Sequence, residues 1–271
     1  MSTARPNGHA ELAGLLEWYR AAGVDLAVSE NPANRFLRPA PPQGQAASAA
    51  RNPARGSTPS PSPSSDIHSD PQSARELSAA ATTLDELRAA LEAFEGCGLK
   101  ATATQLVFAD GNPEADVMLI GEAPGRDEDL QGIPFVGRSG RLRDRMLGAI
   151  GLDRTKVYVA NTIPWRPPGN RTPSPAEIAA CLPFLERQIE LVSPRIIVTL
   201  GAPATATVTG GQASITRVRG QWREATVGTH TVRVLPTFHP AFLLRQPAQK
   251  KNAWRDMLTL RRALDTPDDQ G

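Results

Sequence analysis

The stretch GEAPGRDEDLQGIPFVG, residues 121–137, combines four glycines, two prolines and five charged side chains. Because glycine has no Cβ, the backbone here can approach a ligand closely, and its N–H groups can line an anion-binding concavity. The spacing matches neither G-x-x-x-x-G-K-[ST] nor G-x-G-x-x-G, which disfavours a nucleoside triphosphate or a dinucleotide as the ligand. A tight turn with solvated charges is the alternative that this stretch alone leaves open.

Four short apolar runs, typical of buried strands, determine where this stretch lies. They are DVMLIGE (116–122), KVYVANT (156–162), RIIVTLG (195–201) and VRVLPTF (232–238), and helical patterns separate them. This alternation predicts a parallel sheet with helices on both faces, in which ligands bind at the carboxyl ends of the strands. The residues at those ends are predicted to meet at one rim: Gly121 to Gly125, Asn161, Gly201, and His239 with Pro240.

Helix signals surround these runs. Thr83 and Glu86 fit a capping box at the start of TTLDELRAALEAF, whose apolar residues follow at helical spacing. Ser174 and Glu177 fit a second capping box at the start of SPAEIAACLPFLERQIELV. Pro183 is expected to kink this second helix or to set it back by a turn. A third pattern, GRLRDRMLGAI, has its apolar residues on one face.

Composition divides the chain into three regions. Residues 1–37 form an N-terminal arm with an amphipathic helical pattern at residues 10–22. Residues 38–75 are rich in Pro, Ser and Ala and are predicted to be a disordered linker, with a proline-rich docking motif as the alternative. Residues 76–271 are predicted to form the folded domain.

The overall composition is that of an ordinary soluble protein. The 271 residues carry a net charge of +2, so any contact with nucleic acid must come from local placement of charge. No apolar run is long enough to span a bilayer, and the N-terminus has no signal-peptide pattern, so a cytoplasmic location is expected. The two cysteines, Cys97 and Cys181, are too few for a disulfide scaffold or a four-cysteine metal site.

Three segments together resemble the family 4 uracil-DNA glycosylases of the uracil-DNA glycosylase superfamily. They are GEAPGRDEDLQGIPFVGRSGRLRDRML, NTIPWRPPGNRTPSPAEIAAC and TFHPAFLLR, within about residues 84 to 260. The resemblance implies an α/β fold, a three-layer α/β/α sandwich with a central four-stranded parallel sheet, in agreement with the strand pattern. It also implies an enzyme of base excision repair that flips deoxyuridine out of DNA and hydrolyses its N-glycosidic bond.

The resemblance assigns the recognition of the base. Asn161 would accept a hydrogen bond from uracil N3–H and donate one to O4, a pattern that cytosine reverses. Phe135 would stack under the flipped base. The full set of residues implied for uracil binding is Gly121, Ala123, Gly125, Phe135, Asn161 and His239.

The resemblance also assigns the catalytic groups. The reaction separates an anionic base from an oxocarbenium-like sugar, so the site must stabilise negative charge and position water. Glu122 is the first candidate for the acidic role, because the position of the water-activating aspartate of family 1 enzymes is occupied here by Ala123. Glu128 is the second candidate. His239 would donate a hydrogen bond to uracil O2 as charge builds there.

Residues that contact DNA are implied by the same segments. The AFLLR segment resembles a loop that wedges into the duplex, and arginines of the motif loops are candidates for phosphate contacts. The implied residues are Arg138, Ser139, Arg166, Arg171, Arg217, Arg219, Pro240, Ala241, Leu244 and Arg245.

The chain departs from the resemblance at one place. Family 4 enzymes usually hold a 4Fe-4S cluster on four cysteines, but the matching positions here are Phe94, Cys97, Trp165 and Cys181. Two thiolates do not complete that ligand set, so we expect no cluster and no other metal. The two aromatic rings are expected to fill the vacated volume. A disulfide is not expected in a reducing cytosol.

Two other functions remain open from the sequence. One is a protein that binds uracil-containing or abasic DNA with slow turnover, and the other is a glycosylase of broader base specificity, for example toward hypoxanthine. The presence of Glu122, Asn161 and His239 favours an enzyme, and no motif lysine is available for a lyase step. We expect a monomer that acts on uracil-containing DNA, releases abasic DNA and contacts no membrane.

Overall fold

The computed structural model of the chain describes residues 70–211 and 214–266. The predicted arm at residues 1–37 and most of the predicted linker lie outside the described residues. The helices are α1 (Pro71–Ala80), α2 (Leu84–Ala93), α3 (Arg126–Gln131), α4 (Arg138–Gly148), α5 (Pro175–Val192), α6 (Ala202–Thr209), α7 (Ile215–Val218), α8 (Pro240–Arg245) and α9 (Lys250–Asp265). The strands are β1 (Asp110–Gly111), β2 (Val117–Gly121), β3 (Tyr158–Asn161), β4 (Ile196–Leu200), β5 (Arg223–Val227) and β6 (His230–Thr237).

The strands form one sheet in the order β1-β3-β2-β4-β6-β5. The four strands predicted from the apolar runs are its centre and are parallel to one another. Strands β1 and β5, which the sequence patterns do not predict, add an antiparallel edge on each side. The expected four-stranded parallel sheet is therefore the core of a six-stranded mixed sheet.

Helices cover both faces of the sheet, which confirms the three-layer α/β/α sandwich. Alternate residues of β2 point to opposite faces, as the period of a strand requires. Met118 and Ile120 pack with buried residues of α5 and α6. Val117 and Leu119 pack on the other side with buried residues of α4 and α9.

The helix starts follow the predicted caps. Thr83 and Glu86 form a capping box at the start of α2, and Ser174 and Glu177 form another at the start of α5. In each box, two side chains accept hydrogen bonds from two backbone N–H groups that have no acceptor within the helix. Helix α5 continues through Pro183 to Val192.

The folded region begins earlier than the sequence predicts. The linker is predicted to extend to residue 75, but α1 begins at Pro71 and buries Ala74. Asp70 caps this helix by accepting a hydrogen bond from the Ser73 N–H at 3.0 Å, and proline is favourable at the first helical position. No helix among residues 70–211 and 214–266 is both long and apolar enough to cross a membrane.

Candidate active site

A cleft of about 600 Å³ lies at the carboxyl ends of the central strands. Its wall is formed by residues that follow β2, by the last residue of β3, and by residues that follow β4 and β6. Glu122, Phe135, Asn161 and His239 all line it. The structure therefore brings the predicted carboxylate, ring, amide and imidazole to one cavity.

Asn161 offers an unused hydrogen-bonding atom to this cleft. It is the last residue of β3, is only 6% exposed, and lines the cleft. Its Oδ1 has no hydrogen-bond partner among the described residues. A buried polar atom without a partner is unfavourable, so Oδ1 is an acceptor available to a bound ligand.

Gly121 makes room for both the amide and the ring. A Cβ at this position would lie 2.5 Å from Phe135 Cζ and would also overlap Asn161 Oδ1. Both distances are well below the ordinary separation of nonbonded atoms. The end of β2 must therefore be glycine for Asn161 and Phe135 to stand side by side.

Phe135 is held in an unusual backbone conformation. Its φ is 56°, in the left-handed region that non-glycine residues rarely adopt. Gly140 leaves space for the Phe135 carbonyl group, because a Cβ at residue 140 would collide with the Phe135 carbonyl oxygen. The Arg154 guanidinium donates a hydrogen bond to the same oxygen. Phe135 is 5% exposed, and the centroid of its ring lies 5.8 Å from that of the His239 ring.

His239 follows β6 and caps α8. Its Nδ1 accepts a hydrogen bond from the Ala241 N–H at 3.1 Å, so the proton of the neutral imidazole is on Nε2. Burial and, less strongly, the positive charge of Arg245 lower the pKa of His239 to about 4. At neutral pH the ring is therefore uncharged, with Nε2–H as its one donor.

Glu122 lies directly after β2 and is partly exposed to the cleft. Its backbone carbonyl accepts hydrogen bonds from the Thr162 hydroxyl at 2.6 Å and from the Ile163 N–H at 3.1 Å, which fixes the segment beside β3. Burial raises the pKa of the Glu122 carboxyl group. A carboxylate in such a position can hold a water molecule or stabilise nearby positive charge.

Glu128 also lines the cleft, but it has a structural partner. Its Oε1 accepts a hydrogen bond from the Gly137 N–H at 2.9 Å, and its other carboxylate oxygen lies beside Gly125. The Glu128 carboxylate therefore connects Gly125 and Gly137 at the two ends of this segment. Glu122 remains the first candidate for the acidic role. The neighbouring Asp129 accepts from the Thr104 N–H at 2.8 Å and is structural as well.

Four of the residues implied for DNA contact line the cleft: Ser139, Arg171, Ala241 and Arg245. The Arg171 guanidinium forms two hydrogen bonds with the Glu177 carboxylate, at 2.6 and 2.8 Å, yet its side chain remains 45% exposed. Its position is thus fixed while one side of the cation faces solvent at the mouth of the cleft.

The other implied DNA contacts lie outside the cleft wall. Arg138 and Arg217 are exposed, Pro240 is buried at the start of α8, and Leu244 is 36% exposed on the same helix. Arg166 donates a hydrogen bond from Nε to Asn170 Oδ1 at 2.7 Å.

Arg219 requires a correction. The sequence assigns it to phosphate contact, but its guanidinium forms a buried ion pair with Asp256 and also donates to the Asn252 carbonyl. It lies over the Phe238 ring as well, 5.4 Å from the centroid. Arg219 therefore fastens α9 to the end of β6. Its partner is 37 residues away in the sequence, so no local pattern identifies this role.

Sequence reasoning misses part of the cleft wall. Pro203 of α6 and Ile215 and Thr216 of α7 line the cavity. These residues carry no polar motif, and their contribution follows from the packing of short helices against the sheet. The apolar Phe238–Phe242 pair, with centroids 4.9 Å apart, closes this side of the cleft.

Comparison with known proteins shows the family of the chain. The family model of the uracil DNA glycosylase superfamily matches residues 108–258, more than half of the chain. The chain belongs to the uracil-DNA glycosylase superfamily. A type-4 uracil-DNA glycosylase of Thermotoga maritima is 45% identical over 150 residues, which cover 55% of this chain and 77% of that protein.

Two further type-4 uracil-DNA glycosylases are similar over a larger part of the chain. The type-4 uracil-DNA glycosylase of Sulfurisphaera tokodaii is 38% identical over 190 residues, 68% of this chain and 86% of that protein. The corresponding enzyme of Archaeoglobus fulgidus is 40% identical over 169 residues, 61% of this chain and 85% of that protein.

The four positions that the resemblance to family 4 enzymes implies for a 4Fe-4S cluster come together in the fold. Phe94, Cys97, Trp165 and Cys181 belong to one buried cluster, and each is 1–2% exposed. The Cys97 and Cys181 sulfur atoms are 3.8 Å apart as free thiols, and the Phe94 ring packs on Phe184 with centroids 5.1 Å apart.

These residues do not fit the cluster. Two aromatic rings occupy positions that would have to supply thiolates. A phenyl ring has no ligand atom for iron, and the indole N–H of Trp165 is a donor only. The hydrogen bond with Cys97, together with burial, raises the pKa of Cys181 well above its ordinary value, so this residue is a thiol at neutral pH. The donor set at these four positions is thus limited to two cysteines.

Proposed function

We propose that this protein is a monofunctional uracil-DNA glycosylase of base excision repair. It extrudes deoxyuridine from DNA and hydrolyses the N-glycosidic bond, which releases uracil and leaves an abasic site. The observation that carries the proposal is the buried Asn161 Oδ1, which has no hydrogen-bond partner among residues 70–211 and 214–266 and lies beside the Phe135 ring in a cleft of about 600 Å³. Similarity to proteins named type-4 uracil-DNA glycosylases supports it.

Base selection follows from the hydrogen-bonding pattern of the amide. Asn161 Oδ1 accepts from uracil N3–H and Nδ2 donates to O4, while the Phe135 ring stacks on the face of the base. Cytosine presents an acceptor at N3 and a donor at N4. With cytosine bound, the Asn161 Oδ1 acceptor would face the N3 acceptor, and the Nδ2 donor would face the N4 donor. Unpaired polar groups in a buried site are unfavourable, so uracil is strongly preferred over cytosine.

Cleavage needs charge stabilisation on both sides of the breaking bond. As the bond between C1′ and N1 breaks, its electron pair moves onto the base, and the His239 Nε2–H donates a hydrogen bond to O2. Glu122 faces the positive charge that develops on the sugar and orients the water that adds to C1′. The low pKa of His239 means that the ring stays neutral and stabilises the anion as a hydrogen-bond donor.

Contacts with DNA are proposed around the mouth of the cleft. Ser139, Arg171 and Arg245 are suited to phosphate oxygens, since hydroxyl and guanidinium groups are common phosphate contacts. The exposed Leu244 on α8 is suited to filling the stack that the flipped nucleotide leaves.

We also propose that the protein works without an iron-sulfur cluster, as a monomer in the cytoplasm at the chromosome. The donor set of two thiols and two buried rings supports the absence of the cluster. Protein purified without oxygen should contain less than about 0.1 iron atom per chain and no broad absorbance near 400 nm. Stoichiometric iron bound by the wild type would overturn this part of the proposal.

The test of the function is excision from a fluorescent deoxyuridine oligonucleotide, followed by alkaline cleavage. The wild type should release uracil over many turnovers, and Asn161→Asp, which has nearly the same shape but loses the donor to O4, should be about 10²- to 10³-fold slower. Product formation that stops at one equivalent of enzyme would indicate a damage-binding protein instead. Equal excision of hypoxanthine would indicate broader specificity.

A further inference from the structure

Arg143 is a buried cation directly behind the Phe135 ring. It belongs to α4, is 2% exposed, and its guanidinium carbon lies over the ring at 5.1 Å from the centroid. Phe135 lines the cleft whereas Arg143 does not. The cation therefore contacts the ring from inside the protein, on the side away from the cavity.

The hydrogen bonds of Arg143 do not fully compensate for the burial of its charge. Its Nε donates to Asp144 Oδ1 at 3.0 Å and its Nη2 donates to the same oxygen, but Nη1 has no partner among the described residues. A buried charge with an unpaired N–H group is unfavourable for folding. Burial accordingly lowers the pKa of Arg143, although guanidinium groups remain protonated in proteins.

The positive charge of Arg143 can act on an anion in the cleft through the Phe135 ring. The face of an aromatic ring is electronegative, so an anion that forms on one face of Phe135 is repelled by the ring. A cation on the opposite face is attracted to the ring and offsets that repulsion. Asp144 compensates Arg143 only in part, since its side chain is 38% exposed and water screens its charge.

We propose that Arg143 is a positioning residue that acts through Phe135: it holds the ring from behind, and its charge stabilises the uracil anion on the ring's other face in the transition state. This inference rests on the proposed glycosylase function. It assigns to α4 a share in catalysis beyond the residues that touch the base.

The size of the effect follows from the geometry. A base stacked about 3.5 to 4 Å from the ring lies about 9 Å from the guanidinium carbon. At an effective dielectric constant of about 20, a unit charge at that distance changes a rate by about 20-fold, and partial compensation by Asp144 reduces this to about 10-fold.

The test compares Arg143→Met with Arg143→Lys and with Arg145→Met, a control at an exposed arginine of the same helix. Single-turnover excision of uracil should fall about 10-fold in Arg143→Met, with little change in the enzyme concentration that gives half-maximal rate. Arg143→Lys should recover most of the loss, and Arg145→Met should match the wild type. Excision of 5-fluorouracil should fall only about threefold in Arg143→Met, because its anion is intrinsically more stable.

Thermal unfolding separates this role from a structural one. Arg143→Met should unfold at or above the temperature of the wild type, since it removes a buried cation with an unpaired N–H group. If Arg143→Met does not fold, Arg143→Gln takes its place in the same comparison. Equal losses for uracil and 5-fluorouracil, or an unchanged rate for uracil, would overturn the inference. A wild type that excises no uracil would instead overturn the proposed function.

Discussion

Replacing Gly121 with alanine tests whether the ring and the amide must stand side by side. The added Cβ would lie 2.5 Å from Phe135 Cζ and 2.9 Å from Cε2, and it would overlap Asn161 Oδ1. Carbon atoms normally remain about 3.5 Å or more apart, so the ring must retreat by about 1 Å. A displacement of that size in a catalytic site lowers the rate about 100-fold. Overpacking should also cost about 1–3 kcal/mol of unfolding free energy.

Single-turnover excision of uracil from a duplex, with enzyme in excess, measures this effect directly. Gly148→Ala is the matched control, because no atom lies within 4 Å of a Cβ placed at this last residue of α4. The control should be as active as the wild type and up to about 1 kcal/mol more stable. Wild-type excision by a folded Gly121→Ala protein would refute the assigned arrangement of Phe135 and Asn161.

Three further predictions concern separate parts of the molecule. Glu122→Gln should slow single-turnover excision at least 100-fold and leave binding of uncleaved DNA within about twofold of the wild type; parallel losses in both would contradict its role with water. The His239 imidazole should titrate near pH 4 in an NMR experiment. Because the unfolded chain takes up this proton near pH 6.5, stability should fall as the pH drops from 6.5 to 4, and His239→Gln should reduce that slope. A His239 resonance with a midpoint near 6.5 would argue against the burial described. Trp165→Ala should lower the unfolding free energy by about 3–5 kcal/mol in denaturant titrations, whereas a change below 1 kcal/mol would mean that the ring does not fill the buried cluster.

The centre of the fold is predictable from the sequence because its strands are apolar on both faces. Val117 to Ile120 and Ile196 to Leu200 are buried residue by residue, which produces continuous apolar runs. The edge strands leave weaker signals. Strand β1 has two residues, and β5 alternates exposed residues with buried Ala225 and Val227. Short or half-exposed strands are set by pairing with a neighbour and not by their own pattern.

The predictable part of the candidate site is the part at strand ends. Asn161 and His239 stand out because a polar residue at the end of an apolar run has few structural reasons to be there. Arg143 and Arg219 could not be recognised in this way. A charged residue on a helix or loop is normally solvated, and burial of these two depends on Phe135 and Asp256, which only tertiary packing brings near.

The left-handed backbone of Phe135 affects both the stability of the protein and its catalytic rate. A residue in that region carries about 1–3 kcal/mol of conformational strain, which the surrounding contacts must hold in place. The platform for the base is consequently set while the chain folds, and none of the free energy of DNA binding is needed to order it. Substitutions that relax the backbone around Phe135 should therefore raise the free energy of unfolding and lower the rate of excision together.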